Sequence, residues 1–303
     1  MNTHTHHHSH ESRDYGRAFA AGIGLNVAFV LAETIYGLKA DSLSLLADAG
    51  HNAGDVLGLA MAWVATLLAR RQASERFTYG LQSVSIFASL ANALLLLVAV
   101  GGIGWEALAR LQSPEAPATA TVILVASVGV AVNGVTAWFF HGHDAHDLNI
   151  RAAFVHMVGD AAISLGVVLA AFAIMHTGWV WLDPLVSLAI VIFIVASSWQ
   201  LLRRSTGLAL HAVPDDIDPG RVRDYLAALA GVKEVHDLHI WAMSTTGAAL
   251  SAHLVMPAGH PGDRFLQETT HALAHDFRIT HATLQIEMGD GAGECHTDCT
   301  QEH

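Results

Sequence analysis

The chain has 303 residues, of which 52% are hydrophobic and only 14% are charged, and its mean hydropathy is +0.41. Soluble domains usually carry about 25% charged residues, so this deficit predicts a membrane protein. The formal net charge of −12, with histidine counted as neutral, argues against nucleic acid as a partner. The 21 histidines outnumber the 15 lysines and arginines, which favours metal handling.

The two ends of the chain are polar. Residues 1–15 lack the apolar core and cleavage site of a signal peptide, and we interpret them as a His-rich cytoplasmic tail. Its histidines are candidates for metal capture, as are those of the loop 141–149, with a solvated surface as the alternative. These residues are His4, His6, His7, His8, His10, His141, His143 and His146.

Six apolar segments are long enough to cross about 30 Å of hydrocarbon at 1.5 Å per residue. Together they predict a helical membrane domain over residues 16–205. The segments are 16–38, 43–69, 81–108, 118–141, 150–175 and 179–202.

Arginine and lysine near the segment ends predict the orientation. Eight basic residues fall on one side, and only Lys39 and Arg110 fall on the other. The basic side includes the stretches before the first segment and after the sixth. Both termini are therefore expected in the cytoplasm. The eight residues are Arg13, Arg17, Arg70, Arg71, Arg76, Arg151, Arg203 and Arg204.

After Arg204 the pattern becomes that of a soluble domain, which we assign to residues 206–289. Its predicted order αββαβ indicates a small ferredoxin-like α+β domain, with two helices on one face of a short antiparallel sheet. Residues 290–303 are expected to be disordered; they contain both cysteines, Cys295 and Cys299, which predict no disulfide framework. The predicted elements are helices at 218–230 and 263–277, and strands at 233–243, 248–256 and 281–288.

Two short motifs carry the chemistry of this sequence. His51 and Asp55 lie four residues apart in the second segment, and His156 and Asp160 lie four apart in the fifth. Residues i and i+4 share a helix face, so each motif places an imidazole beside a carboxylate. A carboxylate at the bilayer centre costs about 2.5–3.5 kcal/mol on insertion scales. Packing alone therefore does not explain two such pairs.

Two imidazoles and two carboxylates can close a tetrahedral site around one divalent ion, and this ligand set favours zinc. Cobalt and cadmium remain open, whereas the lack of a thiolate argues against copper(I). The filled site is close to neutral, and the empty site is expected to take up the protons that metal binding expels. The residues therefore predict exchange of a divalent metal for protons.

Several stretches of this sequence resemble cation diffusion facilitator transporters. Residues 42–51 (SLSLLADAGH), followed by Asp55, resemble their second span, and residues 149–153 (NIRAA) resemble the approach to the metal-binding residues of their fifth. Asp183-Pro184 is similar to the start of the sixth span. Residues 236–241 (HDLHIW) and 281–285 (HATLQ) are similar to their cytoplasmic domain. The resemblance covers about residues 15–288 and is greatest to the bacterial zinc-exporting branch.

This resemblance implies a homodimer in the inner (cytoplasmic) membrane that exports divalent metal in exchange for protons. Zinc is the expected substrate, with cadmium or cobalt in some members. The resemblance also implies that a regulatory Zn²⁺ ion binds at the dimer interface of the cytoplasmic domain. The alternative is that the histidines there are ordinary surface residues. The implied transport site is His51, Asp55, His156 and Asp160, and the implied cytoplasmic ligands are His236, His253, His271 and Glu287.

Two departures from the family pattern are visible. Gln285 stands where some members have histidine, which weakens a full two-metal cytoplasmic site. After residues 78–80, the sequence reads LQSVS over 81–85, without the arginine and glutamate that many members have there.

Two other classes of function remain as alternatives. In a membrane metalloenzyme, a bound zinc would activate water, but four protein ligands leave no open position for it. In a metal sensor, the cytoplasmic domain would read the metal, but six spans with buried carboxylates exceed what sensing requires. We therefore expect a transporter and not an enzyme.

Overall fold

The computed structural model describes residues 15–140 and 148–289. Six long helices are followed by a small domain with the order αββαβ, which confirms the fold class predicted from the sequence. The helices are α1 Tyr15–Ala40, α2 Leu43–Ala69, α3 Val84–Gln112, α4 Thr119–Phe140, α5 Leu148–Thr177, α6 Leu182–Ala209, α7 Pro219–Ala227 and α8 Asp263–Phe277; the strands are β1 Glu234–Ala242, β2 Ala248–Val255 and β3 Ile279–Glu287.

The long helices expose apolar side chains. Five of them, α2 to α6, are long and apolar enough to cross a membrane. Only 17–33% of their most apolar windows is buried inside the protein. Large side chains such as Trp105, Trp138 and Val98 are more than three-quarters exposed. In water such a surface would be strongly unfavourable, and it is the surface expected of helices in contact with lipid.

The described residues form two compact units. The first comprises residues 15–59 and 95–198, and all six long helices contribute to its core. That core consists of alanine, valine, isoleucine and leucine side chains, and each of the six helices contributes at least one of them. Small residues let the helices approach closely, as is usual in membranes. At Gly54, for example, an added Cβ would collide with the side chain of Leu96 of α3.

Asp183 at the start of α6 holds the start of α2. Its carboxylate accepts hydrogen bonds from Ser42 Oγ at 2.6 Å and from Leu43 N at 2.7 Å. Ser44 donates to the same carboxylate through its amide and its hydroxyl group. The first amides of a helix have no partner within the helix, and a buried carboxylate satisfies them and complements the helix dipole. This contact fixes the position of α2, which carries His51 and Asp55.

The second unit comprises residues 60–94 and 199–289. Helices α7 and α8 bury Val222, Leu226 and Leu273 in a common core with the sheet. Asp218 caps α7 by accepting hydrogen bonds from the amides of residues 220 and 221, and Pro219 occupies the first turn.

The sheet has the order β1-β2-β3 and is mixed. Strands β1 and β2 pair antiparallel, whereas β2 and β3 pair parallel. The prediction of an antiparallel sheet was therefore wrong for β3. Helix α8 connects β2 to β3 and returns the chain to the same end of the sheet, as crossover helices do between parallel strands. Alternating hydrophobicity locates a strand but does not give its direction.

The LQSVS stretch has a structural role within this second unit. Ser83 Oγ donates to the carbonyl oxygen of Met243 at 3.1 Å, and the amide of Thr245 donates to Ser85 Oγ at 3.1 Å. Met243 and Thr245 belong to the turn between β1 and β2. Short hydroxyl side chains therefore anchor this turn to the start of α3.

Replacing Asp183 with alanine tests the helix anchor. Asp183→Ala leaves buried donors at the start of α2 without an acceptor, and we expect a loss of about 1–3 kcal/mol in stability. The measurement is the apparent melting temperature of the purified protein in detergent. The control is Asp215→Ala, which removes a carboxylate that is 77% exposed and lies 3.5 Å from Arg204. Equal melting temperatures for the two variants would contradict the anchoring role.

Candidate metal sites

The two membrane motifs meet between α2 and α5. His51 and Asp55 lie one turn apart on α2, and His156 and Asp160 lie one turn apart on α5. His51 Nε2 is 3.1 Å from Asp160 Oδ1 and 3.9 Å from Asp55 Oδ2. His156 Nε2 is 3.3 Å from Asp55 Oδ2 and 3.6 Å from Asp160 Oδ2. Nitrogen and oxygen atoms therefore alternate around a small closed cluster, called the quartet below.

These distances suit a tetrahedral ion. Zinc binds histidine nitrogen and carboxylate oxygen at about 2.0–2.2 Å, so ligand atoms at the corners of its tetrahedron lie about 3.3–3.6 Å apart. The four nitrogen–oxygen distances of the quartet range from 3.1 to 3.9 Å. Only small side-chain shifts are needed to enclose one ion. His51, Asp55 and Asp160 also offer ligand atoms that all lie within 4.8 Å of one another.

The quartet is enclosed on one side and open on the other. The side chains of His51 and Asp160 are 11% and 5% exposed, whereas those of His156 and Asp55 are 45% and 39% exposed. The ring of Phe193 from α6 packs edge-on against His51, with ring centroids 6.0 Å apart. Because exposed ionisable groups within a span require water or protein and not lipid, the open side is the expected path for ions.

The same atoms can bind protons or a metal. At 3.1 Å, His51 Nε2 and Asp160 Oδ1 form a hydrogen bond when the imidazole carries a proton there. A metal ligand must be deprotonated, so an ion that enters the quartet displaces such protons. Proton-bound and metal-bound states are therefore mutually exclusive at this cluster.

A second cluster lies on the sheet of the second unit. His236 and His253 are paired residues of β1 and β2, and their rings meet edge-on with centroids 5.1 Å apart. Glu287 of β3 lies between them: its Oε2 is 2.9 Å from His236 Nε2, and its Oε1 is 3.0 Å from His253 Nδ1. These three residues offer ligand atoms within 4.8 Å of one another.

Asp237 joins this cluster through an irregularity in β1. Its Oδ2 is 3.4 Å from His253 Nε2, and its Oδ1 is 3.0 Å from His239 Nε2. Neighbouring residues of a regular strand point to opposite faces, but the pairing of β1 shifts between His236 and His239. Asp237 there has a φ of 49°. A bulge of this kind redirects a side chain, and sequence reasoning missed it because no pattern marks it.

The charge balance of the cluster is reflected in Glu287. Burial raises the pKa of this carboxyl, but hydrogen bonds from His236 and Gln285 and the charges of His236 and His253 outweigh burial. Its pKa therefore lies below the ordinary value of 4.5. Because this carboxyl group stays ionised, it is in the state that a metal ligand requires.

The remaining candidate residues lie elsewhere. His271 is on α8, where its ring stacks on His275, and it is not part of the cluster formed by His236, His253 and Glu287. The other histidines and cysteines singled out above lie outside the described residues. They are His4, His6, His7, His8, His10, His141, His143, His146, Cys295 and Cys299.

Helices that face lipid and hold a two-histidine, two-aspartate cluster define a membrane protein that handles metal ions. The chain belongs to the cation efflux family. The family model described as the cation efflux transmembrane domain matches residues 20–208, and the model described as the cytoplasmic domain of cation efflux proteins matches residues 214–288. The family predicted from the sequence is thereby confirmed.

Three relatives are similar over nearly their whole length. The metal cation efflux system protein CzcD of Cupriavidus metallidurans is 34% identical over 93% of this chain and 90% of its own. The zinc transporter ZitB of Escherichia coli is 32% identical, with 97% and 95% covered. The cadmium, cobalt and zinc/H(+)-K(+) antiporter of Bacillus subtilis is 30% identical, with 92% and 91% covered.

A solved structure, the metal-bound C-terminal domain of the Cupriavidus metallidurans CzcD transporter, is 42% identical. It covers 23% of this chain and 99% of its own, with a TM-score of 0.22.

Asp160→Asn tests the quartet. The amide keeps the size of the side chain but removes its charge. Mutating a residue that only hydrogen-bonds to a metal ligand already lowers metal affinity by about 10–100-fold, so we expect loss of the ligand itself to lower zinc affinity by more than about 100-fold. The measurement is a zinc titration of the purified protein carrying His253→Ala and Glu287→Gln, which disable the cytoplasmic cluster. Glu106→Gln in the same background is the control and should bind zinc normally. Unchanged affinity in Asp160→Asn would show that the residue is not a ligand.

The lowered pKa of Glu287 predicts a pH dependence. A carboxyl whose pKa is depressed by folding stabilises the folded state above its unfolded pKa, and this contribution disappears as the pH falls through its folded pKa. Glu287→Gln should therefore lower the melting temperature of the metal-free protein near pH 6, and the difference should shrink as the pH falls below 4.5 and vanish below the folded pKa of Glu287. Thermal unfolding at several pH values measures this. A difference that persists undiminished at low pH would contradict the assignment.

Proposed function

We propose that this protein exports divalent metal ions from the cytoplasm in exchange for protons, with zinc as the main substrate and cadmium or cobalt as further ones. The observation that carries the proposal is the quartet: two imidazoles and two carboxylates from two apolar helices, with nitrogen–oxygen distances of 3.1–3.9 Å. The names of the relatives, which include a zinc transporter and a cadmium, cobalt and zinc antiporter, support it.

Exchange follows from the charge of the quartet. Two carboxylates and two neutral imidazoles carry a charge of −2, which one divalent ion cancels, so the loaded site is nearly neutral within the low-dielectric membrane. The metal-free site offsets part of this charge by binding protons at the same atoms. Either cargo makes the site compatible with the apolar surroundings, whereas the empty, ionised site is costly. A site that must carry one or the other couples their opposite movements.

The direction and location of transport rest on the basic residues at the segment ends. Their asymmetry supports an inner-membrane protein with both termini, and the domain at 206–289, in the cytoplasm. We propose that the metal enters the quartet from that side and that protons arriving from the outside release it. We further propose a homodimer, because the family model that matches residues 214–288 is named as a dimer domain.

The cytoplasmic cluster is proposed as a regulatory metal site. His236, His253 and Glu287 supply three ligands, and Asp237 is close enough to supply a fourth. Zinc sites usually have four ligands. The position of His271 outside this cluster argues against its inclusion, and we replace it with Asp237 in the proposed ligand set.

The described residues favour transport over the enzyme and sensor alternatives. A catalytic zinc keeps an open coordination position for water, whereas the quartet offers four protein ligands. A sensor needs only the cytoplasmic cluster and gives no role to a carboxylate such as Asp160, buried between two membrane helices.

Zinc uptake into proteoliposomes tests this function. With an imposed proton gradient, the wild-type protein and Glu106→Gln should accumulate zinc, and collapsing the gradient with a protonophore should stop accumulation. Asp160→Ala should reduce uptake to that of protein-free liposomes, because the quartet loses a ligand and a charge. Zinc uptake that is indifferent to the gradient would contradict proton exchange. Gradient-driven uptake that survives in Asp160→Ala would contradict the assignment of the quartet.

A further inference from the structure

A second pair of acidic side chains lies in the first unit, and the exchange described above does not use it. Glu33 of α1 and Asp48 of α2 are completely buried, each with 0% exposure. Asn52 Nδ2 donates to Glu33 Oε2 at 3.1 Å, and Ser164 Oγ donates to Asp48 Oδ2 at 2.7 Å. One oxygen of each carboxyl group is therefore satisfied by a neutral donor.

The other oxygen of each group lacks such a donor. Glu33 Oε1 and Asp48 Oδ1 are buried, and no N–H or O–H group in the described part of the chain donates to them. The two carboxyl groups nevertheless interact with each other. Ionised carboxylates only accept hydrogen bonds, so this interaction is favourable when one of the two groups carries a proton. A shared proton supplies the missing donor.

Within the described residues, no lysine or arginine forms an ion pair with Glu33 or Asp48. The titratable groups that act on Asp48, besides Glu33, are His51 on the same helix and Asp160 of α5, both of which belong to the quartet. Helix α4, which packs against α1 and α5, contains no acidic, basic or histidine residue. Arg110 is paired with Asp41 and Glu106, and Asp183 with the start of α2.

The pair is mechanically and electrostatically linked to the quartet. Asp48 precedes His51 by three residues on α2, and its partner Ser164 follows Asp160 by four residues on α5, about one helical turn in each case. Asn52, the partner of Glu33, is the neighbour of His51 in the sequence. A change of charge in the quartet therefore alters the electrostatic potential at Glu33 and Asp48, and a shift of α2 or α5 moves their hydrogen-bond partners.

We propose that Glu33 and Asp48 form a second proton-binding site, in which the two carboxyls share one proton while the quartet is metal-free and release it when the quartet binds a divalent ion. The proposal rests on the exchange function proposed above. An O–H bond to a carboxyl oxygen breaks, the proton passes to water, and both carboxyls are left ionised. The divalent ion brings more positive charge to the quartet than the protons that it displaces, and this excess lowers the proton affinity of the pair until the metal departs.

Counting protons released on zinc binding tests this site. Isothermal titration calorimetry in buffers of different ionisation enthalpy gives the number of protons released per zinc. All proteins carry His253→Ala and Glu287→Gln, so that the cytoplasmic cluster does not contribute. Glu33→Gln and Asp48→Asn place an amide where the proton would lie; each should fold, bind zinc and release about one proton fewer than the background protein. Glu106→Gln, a matched substitution outside the pair, should release the full number.

Each outcome either supports or overturns the second proton-binding site. Equal proton release in Glu33→Gln, Asp48→Asn and the Glu106→Gln control would overturn the second site. Failure of both amide variants to fold would overturn it too, since an amide reproduces the hydrogen bond of the shared proton. Zinc uptake by the wild-type protein separates the two proposals. If that uptake is driven by the proton gradient but the proton count is unchanged, only the second site fails; if uptake ignores the gradient, the exchange function itself fails.

Discussion

The arrangement of the membrane unit depends on one constraint: a charge within an apolar helix needs a partner from another helix. Asp160 of α5 meets His51 of α2, and Asp183 of α6 holds the amides at the start of α2. Each contact joins helices distant in sequence, and each would be unfavourable if the other helix moved away. The polar groups thereby specify which apolar helices are neighbours, which alanine and valine packing in the core does not specify.

In the proposed account, the same constraint makes this cluster of side chains an exchange site. His51, Asp55, His156 and Asp160 lie close enough to bind one another through protons or to surround one divalent ion. An uncompensated quartet is costly in a low-dielectric medium, so protons and metal compete to neutralise it. In the proposed account the pair Glu33 and Asp48 follows the same rule, one helical turn further on, and would add a proton to the exchange.

Much of this was accessible from the sequence, because it depends on helical periodicity. Four-residue spacing placed each histidine beside its aspartate, and hydropathy located the helices; α2 and α8 begin and end where they were predicted. Other contacts between helices were not accessible: nothing local shows that Asn52 faces Glu33, or that Ser164 faces Asp48. The direction of β3 and the bulge at Asp237 also escaped prediction, because both depend on pairing between strands. His271 was placed in the cytoplasmic ligand set through resemblance alone, and it lies outside the cluster of His236, His253 and Glu287.

The quartet is proposed to hold the transported ion. A structure of the full-length protein with zinc, with anomalous scattering recorded on both sides of the zinc absorption edge, would locate that ion. We expect an anomalous peak between α2 and α5, about 2.0–2.2 Å from one nitrogen or oxygen atom of each of His51, Asp55, His156 and Asp160. Zinc bound to the cytoplasmic cluster with no peak at the quartet, or a membrane peak coordinated by other residues, would contradict this proposal.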